Sequence, residues 1–116
     1  EKTVVFDTVD ARFGEAWLGN IRAEIGDAAV DYLVVQHMEP DHSANVAKFA
    51  AAYPQATIVA SAQAFVMMKN YFGDDFASRR LVVKEGDTLK TGTDIRVIAV
   101  INASTMLVEP LNSLII

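Results

Sequence analysis

Short β-branched or apolar runs alternate in this chain with stretches whose apolar residues recur every three or four positions, and this alternation constrains the fold more than any other feature. Thr3 to Asp7 reads as a strand, with Asp10 placed to cap a helix. Phe13, Trp17, Ile21 and Ile25 then fall four apart, with Ala16 and Leu18 beside them, so an amphipathic helix ending at Gly26 is predicted. Val30 to Val35 is nearly continuous in apolar residues, the pattern of a strand covered on both faces of its sheet. A second helix, capped by Ser43 or Asp41, should run to about Ala52 with Val46, Phe49, Ala50 and Tyr53 on one side, until Pro54 ends it. Thr57 to Ala60 is another buried strand, and Ser61 caps a third helix, carrying Phe65, Met68 and Phe72, that Gly73 stops.

Beyond Gly73 the period shortens. Leu81-Val82-Val83, a Glu85-Gly86-Asp87 turn, Thr88 to Lys90, a Thr91-Gly92-Thr93 turn and Ile95 to Val100 are expected to form a β-meander. Strand-helix repeats followed by a meander define an α/β layered fold. Residues 101–116 carry one charge, Glu109, and an apolar end; they read as a divergent apolar tail for which periodicity assigns no element.

Composition narrows the function classes. The 116 residues are 52% hydrophobic and 22% charged, apolar enough to suggest surface meant to be covered by a further layer. Net charge is −5, and no basic cluster exceeds Arg79-Arg80, which excludes a phosphate-tracking nucleic-acid surface. The absence of cysteine excludes disulfides, thiolate catalysis and zinc-thiolate sites. No apolar run approaches the ~20 residues of a membrane span, and Glu1-Lys2-Thr3 lacks the apolar core of a secretion signal, so a soluble cytoplasmic protein is expected. A strand beginning at Thr3 with no preceding loop leads to the further expectation that an amino-terminal portion has been lost.

One segment concentrates chemistry. His37, Glu39, Asp41 and His42 follow the buried strand directly and include both histidines of the chain. On extended backbone His37 and Glu39 point the same way, while Asp41 and His42, past the Pro40 bend, can address a second locus. Mixed imidazole and carboxylate donors suit iron, manganese or zinc, and the carboxylate content favours iron. A polar loop bearing one histidine and one acid is common in any protein, but four donor types within six residues at a strand end are not. Elsewhere the residues read as structure: Met67, Met68 and Trp17 as packing, Glu85-Gly86-Asp87 as a hairpin turn, Ser43 as a helix cap.

Residues 31–43, Asp-Tyr-Leu-Val-Val-Gln-His-Met-Glu-Pro-Asp-His-Ser, resemble the signature of flavodiiron proteins, in which the HxHxDH of metallo-β-lactamase hydrolases becomes HxExDH. The similarity extends through residues 60–65, 67–72 and 82–89 and covers about residues 1–100. It implies a partial metallo-β-lactamase-like αββα sandwich over 1–100, with 101–116 outside the family pattern. It implies two non-haem irons, one on His37 and Glu39, the other on Asp41 and His42, with no catalytic residue beyond these ligands. The parent reaction so implied is reduction of oxygen to water or of nitric oxide to nitrous oxide. Electrons would come from FMN in a flavodoxin-like domain of a facing subunit, in a homo-oligomer fed by rubredoxin or an NAD(P)H-linked reductase. The family's later ligands, two histidines and a bridging aspartate, match nothing here, since the chain holds no third histidine. This chain alone is therefore expected to bind metal weakly or not at all and not to turn over. Two alternatives stand beside this reading: a hydrolase of the same superfamily, against which Glu39 argues, and a non-catalytic truncated product.

Overall fold

The computed structural model describes residues 2–90, 95–102 and 105–110. A parallel sheet is built from β1 (Val4–Phe6), β2 (Tyr32–Val34), β3 (Thr57–Ala60) and β4 (Arg80–Val82), in that spatial order. Between them lie a 3-10 turn (Ala11–Phe13), α1 (Gly14–Ile25), α2 (Pro40–Ser43), α3 (Val46–Ala52) and α4 (Ala62–Phe72). A second, antiparallel sheet holds β5 (Thr88–Leu89), β6 (Ile95–Asn102) and β7 (Thr105–Pro110), in the order β5-β6-β7.

Strand order follows chain order, and parallel crossovers share one hand, so the connecting helices collect on one face of the first sheet and leave the other for a second sheet. The two-residue period of each strand divides its side chains between these faces. Val5, Leu33, Val35, Ile58 and Ala60 pack with Trp17, Val46, Phe49, Phe65 and Met68 of the helices. Val4, Tyr32, Val34 and Val59 pack with Leu89, Met106 and Val108 of the second sheet. The continuous apolar character of the central strands is the consequence of burial on both sides, as expected from sequence.

Several local expectations hold. Ser61 accepts the amide of Ala64 at 3.2 Å, Gly73 closes α4 in the left-handed conformation, and Gly86 turns with φ 92°, although its turn joins β4 to β5 across the two sheets and is not the hairpin expected. Met68 is fully buried and Met67 packs against the same core.

Others are corrected. Leu81 and Val82 belong not to the meander but to β4, the fourth parallel strand, paired to β3 with Val59 opposite Leu81. A strand that follows a helix returns to its parent sheet, and short-range periodicity does not report which sheet a strand joins. The helix expected from Ser43 to Ala52 is two helices. Ser43 caps neither; its buried hydroxyl donates to the carbonyls of Met38 and Glu39, both at 3.0 Å. The break falls at Asn45, whose side-chain amide donates to Val9 O at 2.8 Å and Asp10 O at 3.0 Å. A side chain on Gly14 would have its Cβ 2.3 Å from Asn45 Oδ1, so glycine at the start of α1 leaves the room that the Asn45 side chain occupies. Asp10 caps the short 3-10 turn rather than α1, and Phe13, placed by spacing on the apolar face, is 55% exposed. The stretch without an assigned element supplies β7, and β6 extends to Asn102. The Thr91-Gly92-Thr93 turn and residues 111–116 lie outside the described residues.

Candidate metal centre

Ligands in parallel α/β sheets collect beyond the carboxyl ends of the strands, where side chains from successive loops converge. Here those ends carry Asp7 after β1 and Gln36-His37 after β2. Asp7 sits at φ 59°, a left-handed conformation that aspartate tolerates better than most residues, and this aims its carboxylate at the neighbouring strand end. Its Oδ1 accepts the amides of Gln36 at 2.6 Å and His37 at 3.3 Å. Thr8, buried beside it, donates its amide and hydroxyl to His42 O at 2.7 and 3.1 Å. Pro40 starts α2 at its first turn, where a missing amide costs nothing. The backbone of the whole 36–43 segment is thus held from both sides.

The structure brings together all four residues singled out from sequence, as two pairs. His37 Nε2 lies 3.4 Å from Glu39 Oε1, and His42 Nε2 lies 3.6 Å from Asp41 Oδ2. The imidazoles meet edge to face, with ring centroids 4.9 Å apart. Side-chain exposure separates the donor types: His37 and His42 at 27% and 44%, Glu39 and Asp41 at 63% and 66%. The rings are set into the protein, and the carboxylates stand at its surface. Among the described residues no three histidine or acidic side chains gather closely enough to hold one ion between them.

The far side of each ring is also occupied. His37 Nδ1 is 2.8 Å from Thr105 Oγ1, and His42 Nδ1 is 3.6 Å from Asp7 Oδ2. Sequence reading missed both outer partners. Asp7 had a legible signal, an acid at the end of the first strand; Thr105 had none, because it lies 68 residues from His37 in the chain.

Burial raises the pKa of Asp7 above the ordinary aspartate value, opposed by the Gln36 and His37 amides and the two imidazoles. A carboxyl that holds its proton more tightly folded than unfolded makes its full contribution below the unfolded pKa and loses it as pH climbs through the folded one. Asp7→Asn, which keeps an acceptor for both amides without the buried charge, is therefore expected to raise the urea midpoint at pH 7 and leave it unchanged near pH 3. A lower midpoint at pH 7 would show that the charge is net stabilising.

A parallel sheet with helices on one face and an antiparallel sheet on the other, its donors at the strand ends, is the metallo-β-lactamase-like fold. A B3 metallo-β-lactamase with an active-site glutamic acid shares it at TM-score 0.69 and 20% identity, over 90% of this chain and 44% of that one, a likeness of fold alone. Within this class the relationship is to the flavodiiron proteins, and the chain is homologous to part of their metallo-β-lactamase-like core. It is 35% identical over 92 residues to flavo-diiron protein FprA2 of Clostridium acetobutylicum, covering 79% of this chain and 23% of that protein. Against the anaerobic nitric oxide reductase flavorubredoxin of Salmonella arizonae it is 35% identical over 100 residues, 86% of this chain and 21% of the relative. The rubredoxin oxygen:oxidoreductase of Desulfovibrio gigas superposes with TM-score 0.81 at 28% identity, over 92% of this chain and 27% of that structure. The flavodiiron protein of Giardia intestinalis gives TM-score 0.80 at 25% identity, over 90% and 26%. The chain thus spans about a quarter or less of the length of the relatives it matches. No family model matches it.

Proposed function

We propose that this chain supplies four of the donors of a non-haem diiron centre, in a flavodiiron oxidoreductase that reduces oxygen to water or nitric oxide to nitrous oxide. The observation that carries the reading is the pairing of each imidazole Nε2 with one carboxylate oxygen, at 3.4 and 3.6 Å. Both distances are long for a hydrogen bond. The first lies within, and the second just above, the ~3.0–3.5 Å that separates two donors on one first-row ion bound at about 2.1 Å. His37 with Glu39 would hold one iron, and Asp41 with His42 the other. When bound, the irons supply reversible one-electron chemistry and an electrophilic pocket for the diatomic gas.

What the chain's own residues do follows from their placement. The half-buried imidazoles fix the two loci, and the more exposed carboxylates bring the negative charge that higher-valent iron requires. FMN, a rubredoxin-type or NAD(P)H-linked donor, a facing subunit and a cytoplasmic setting belong to the same reading; the relatives' names support the gas substrates and a rubredoxin-type donor. Among the described residues no helix is long and apolar enough to cross a membrane. A hydrolase shares the fold, yet the two curated relatives described above are a flavo-diiron protein and a flavorubredoxin.

Two protein donors per ion leave most coordination positions to water, so weak binding and no turnover by this chain are expected. Titration with Zn(II), followed by imidazole NMR, should shift the ring resonances of His37 and His42 in the millimolar to high-micromolar range. Anaerobic Fe(II) should show the same weak affinity. Rings unmoved at millimolar metal, or two tight iron equivalents with gas consumption, contradict the proposal.

A further inference from the structure

We propose that Thr8 is the positioning residue of the second ligand pair: working through the main chain of His42 and Asn45, it sets where α2 stops and so where the His42 imidazole stands beside that of His37. Its purpose rests on the diiron reading; its geometry does not. Thr8 lies just past the end of β1, is buried, and precedes His42 by 34 residues. Its amide donates to His42 O at 2.7 Å, and its hydroxyl oxygen lies 3.1 Å from the same carbonyl and 3.2 Å from the amide nitrogen of Asn45. The partners fix the direction of both hydroxyl bonds. An amide N–H only donates and a carbonyl only accepts, so Oγ1 receives the Asn45 proton and gives its own to a carbonyl. His42 O is the nearer acceptor, since Val9 O lies at 3.4 Å.

Three bonds thus converge at the junction of α2 and α3. A four-residue helix is too short to hold its own shape, and α2 closes its single turn with the bond from the Ala44 amide to Pro40 O at 3.2 Å. Beyond Ala44 the side chain of Asn45 is tied to Val9 O and Asp10 O, so the main chain on either side of the junction hangs on residues 8–10. His42 leaves 44% of its side chain exposed, so packing orients it little and the backbone beneath it decides where the ring goes. His37 is held by other means, its amide on Asp7 Oδ1 and its backbone bridged to Thr105. Loss of the Thr8 hydroxyl should therefore move one ring and spare the other.

Thr8→Val keeps the branched shape and the amide bond to His42 O but removes the hydroxyl, leaving the buried Asn45 amide without its acceptor; Thr8→Ser keeps the hydroxyl. In the metal-free proteins, the nuclear Overhauser contact between the His37 and His42 ring protons reports their edge-to-face packing, 4.9 Å between centroids. Zn(II) titration of the same resonances gives the affinity at each ring. Wild type and Thr8→Ser should agree in both. Thr8→Val should weaken the ring contact, speed amide exchange at Asn45 and bind Zn(II) at His42 about 10-fold more weakly, the lower end of such outer-sphere effects because the amide anchor remains, with His37 changed by less than about twofold. An unchanged ring contact, an unchanged zinc affinity at His42, or equal weakening at both rings overturns the proposal, the last because it marks a general loss of stability. So does Thr8→Ser behaving like Thr8→Val in a folded protein. Should neither ring respond to zinc in wild type, the diiron reading fails by itself, and the ring contact still decides what Thr8 positions. If Thr8→Val does not fold, the wild-type hydroxyl proton of Thr8 decides: slow exchange with water upholds the bond to His42 O, and fast exchange overturns it.

Discussion

Phe49→Ala is expected to lower the unfolding free energy by about 3–5 kcal/mol, read as a shift of the urea midpoint at unchanged slope. Phe49 is fully buried in α3, its ring centroid 5.8 Å from Trp17 of α1 and 5.0 Å from Tyr53. It also belongs to the cluster formed by Leu33, Ile58 and Met68, where helices meet sheet. Truncation removes the transfer free energy of a large aromatic and leaves a cavity that two rigid rings and a sheet cannot collapse to fill. Natural domains hold about 5–15 kcal/mol in total, so the variant should sit near its unfolding threshold at room temperature. Phe49→Leu, which keeps most of the volume, should cost about 1–2 kcal/mol. A loss below about 1 kcal/mol for the alanine variant would mean that α3 is not docked as described.

How far sequence alone reached follows from the range of the forces involved. Strands β1, β2 and β3 and helix α4 were legible because burial imposes periods of two and 3.6 on nearby residues, and Ser61 and Gly73 mark the ends of α4 through contacts within one turn. The break between α2 and α3 was not, since it depends on Asn45 reaching back to Val9 and Asp10, 36 and 35 residues earlier. Assignment of β4 failed for the same reason: its partner is β3, beyond an intervening helix. At the centre, the four donor types were legible as a local cluster. Their outer partners were not, because Asp7 and Thr105 are brought there by sheet topology. A motif read from a hexapeptide gives the atoms that can touch a metal, while the groups that set those atoms' direction come from elsewhere in the chain.

Arg79→Ala should cost about 2–4 kcal/mol, a large loss for a charged residue that stands outside the apolar core. Its guanidinium donates three times, from Nε to Ala56 O at 2.9 Å, from Nη1 to Ala50 O at 2.7 Å and from Nη2 to Tyr53 O at 2.6 Å. Ala50 lies in the last turn of α3 and Tyr53 caps it, where carbonyls have no partner within the helix and carry the negative end of its dipole. Ala56 opens the way into β3, and Arg79 O accepts the amide of Ile58 at 2.9 Å, so one residue joins α3, β3 and the entry to β4. Burial pushes the Arg79 pKa down from its ordinary value, opposed by Asp74. Lysine cannot substitute, because one ammonium does not reproduce a planar fork directed at three acceptors. Arg79→Lys is therefore expected to recover only part of the loss, with amide exchange accelerated at Tyr53 and Ala56 in both variants. An alanine variant within about 0.5 kcal/mol of wild type, the range of ordinary surface changes, would show that water satisfies the three carbonyls as well as the guanidinium does.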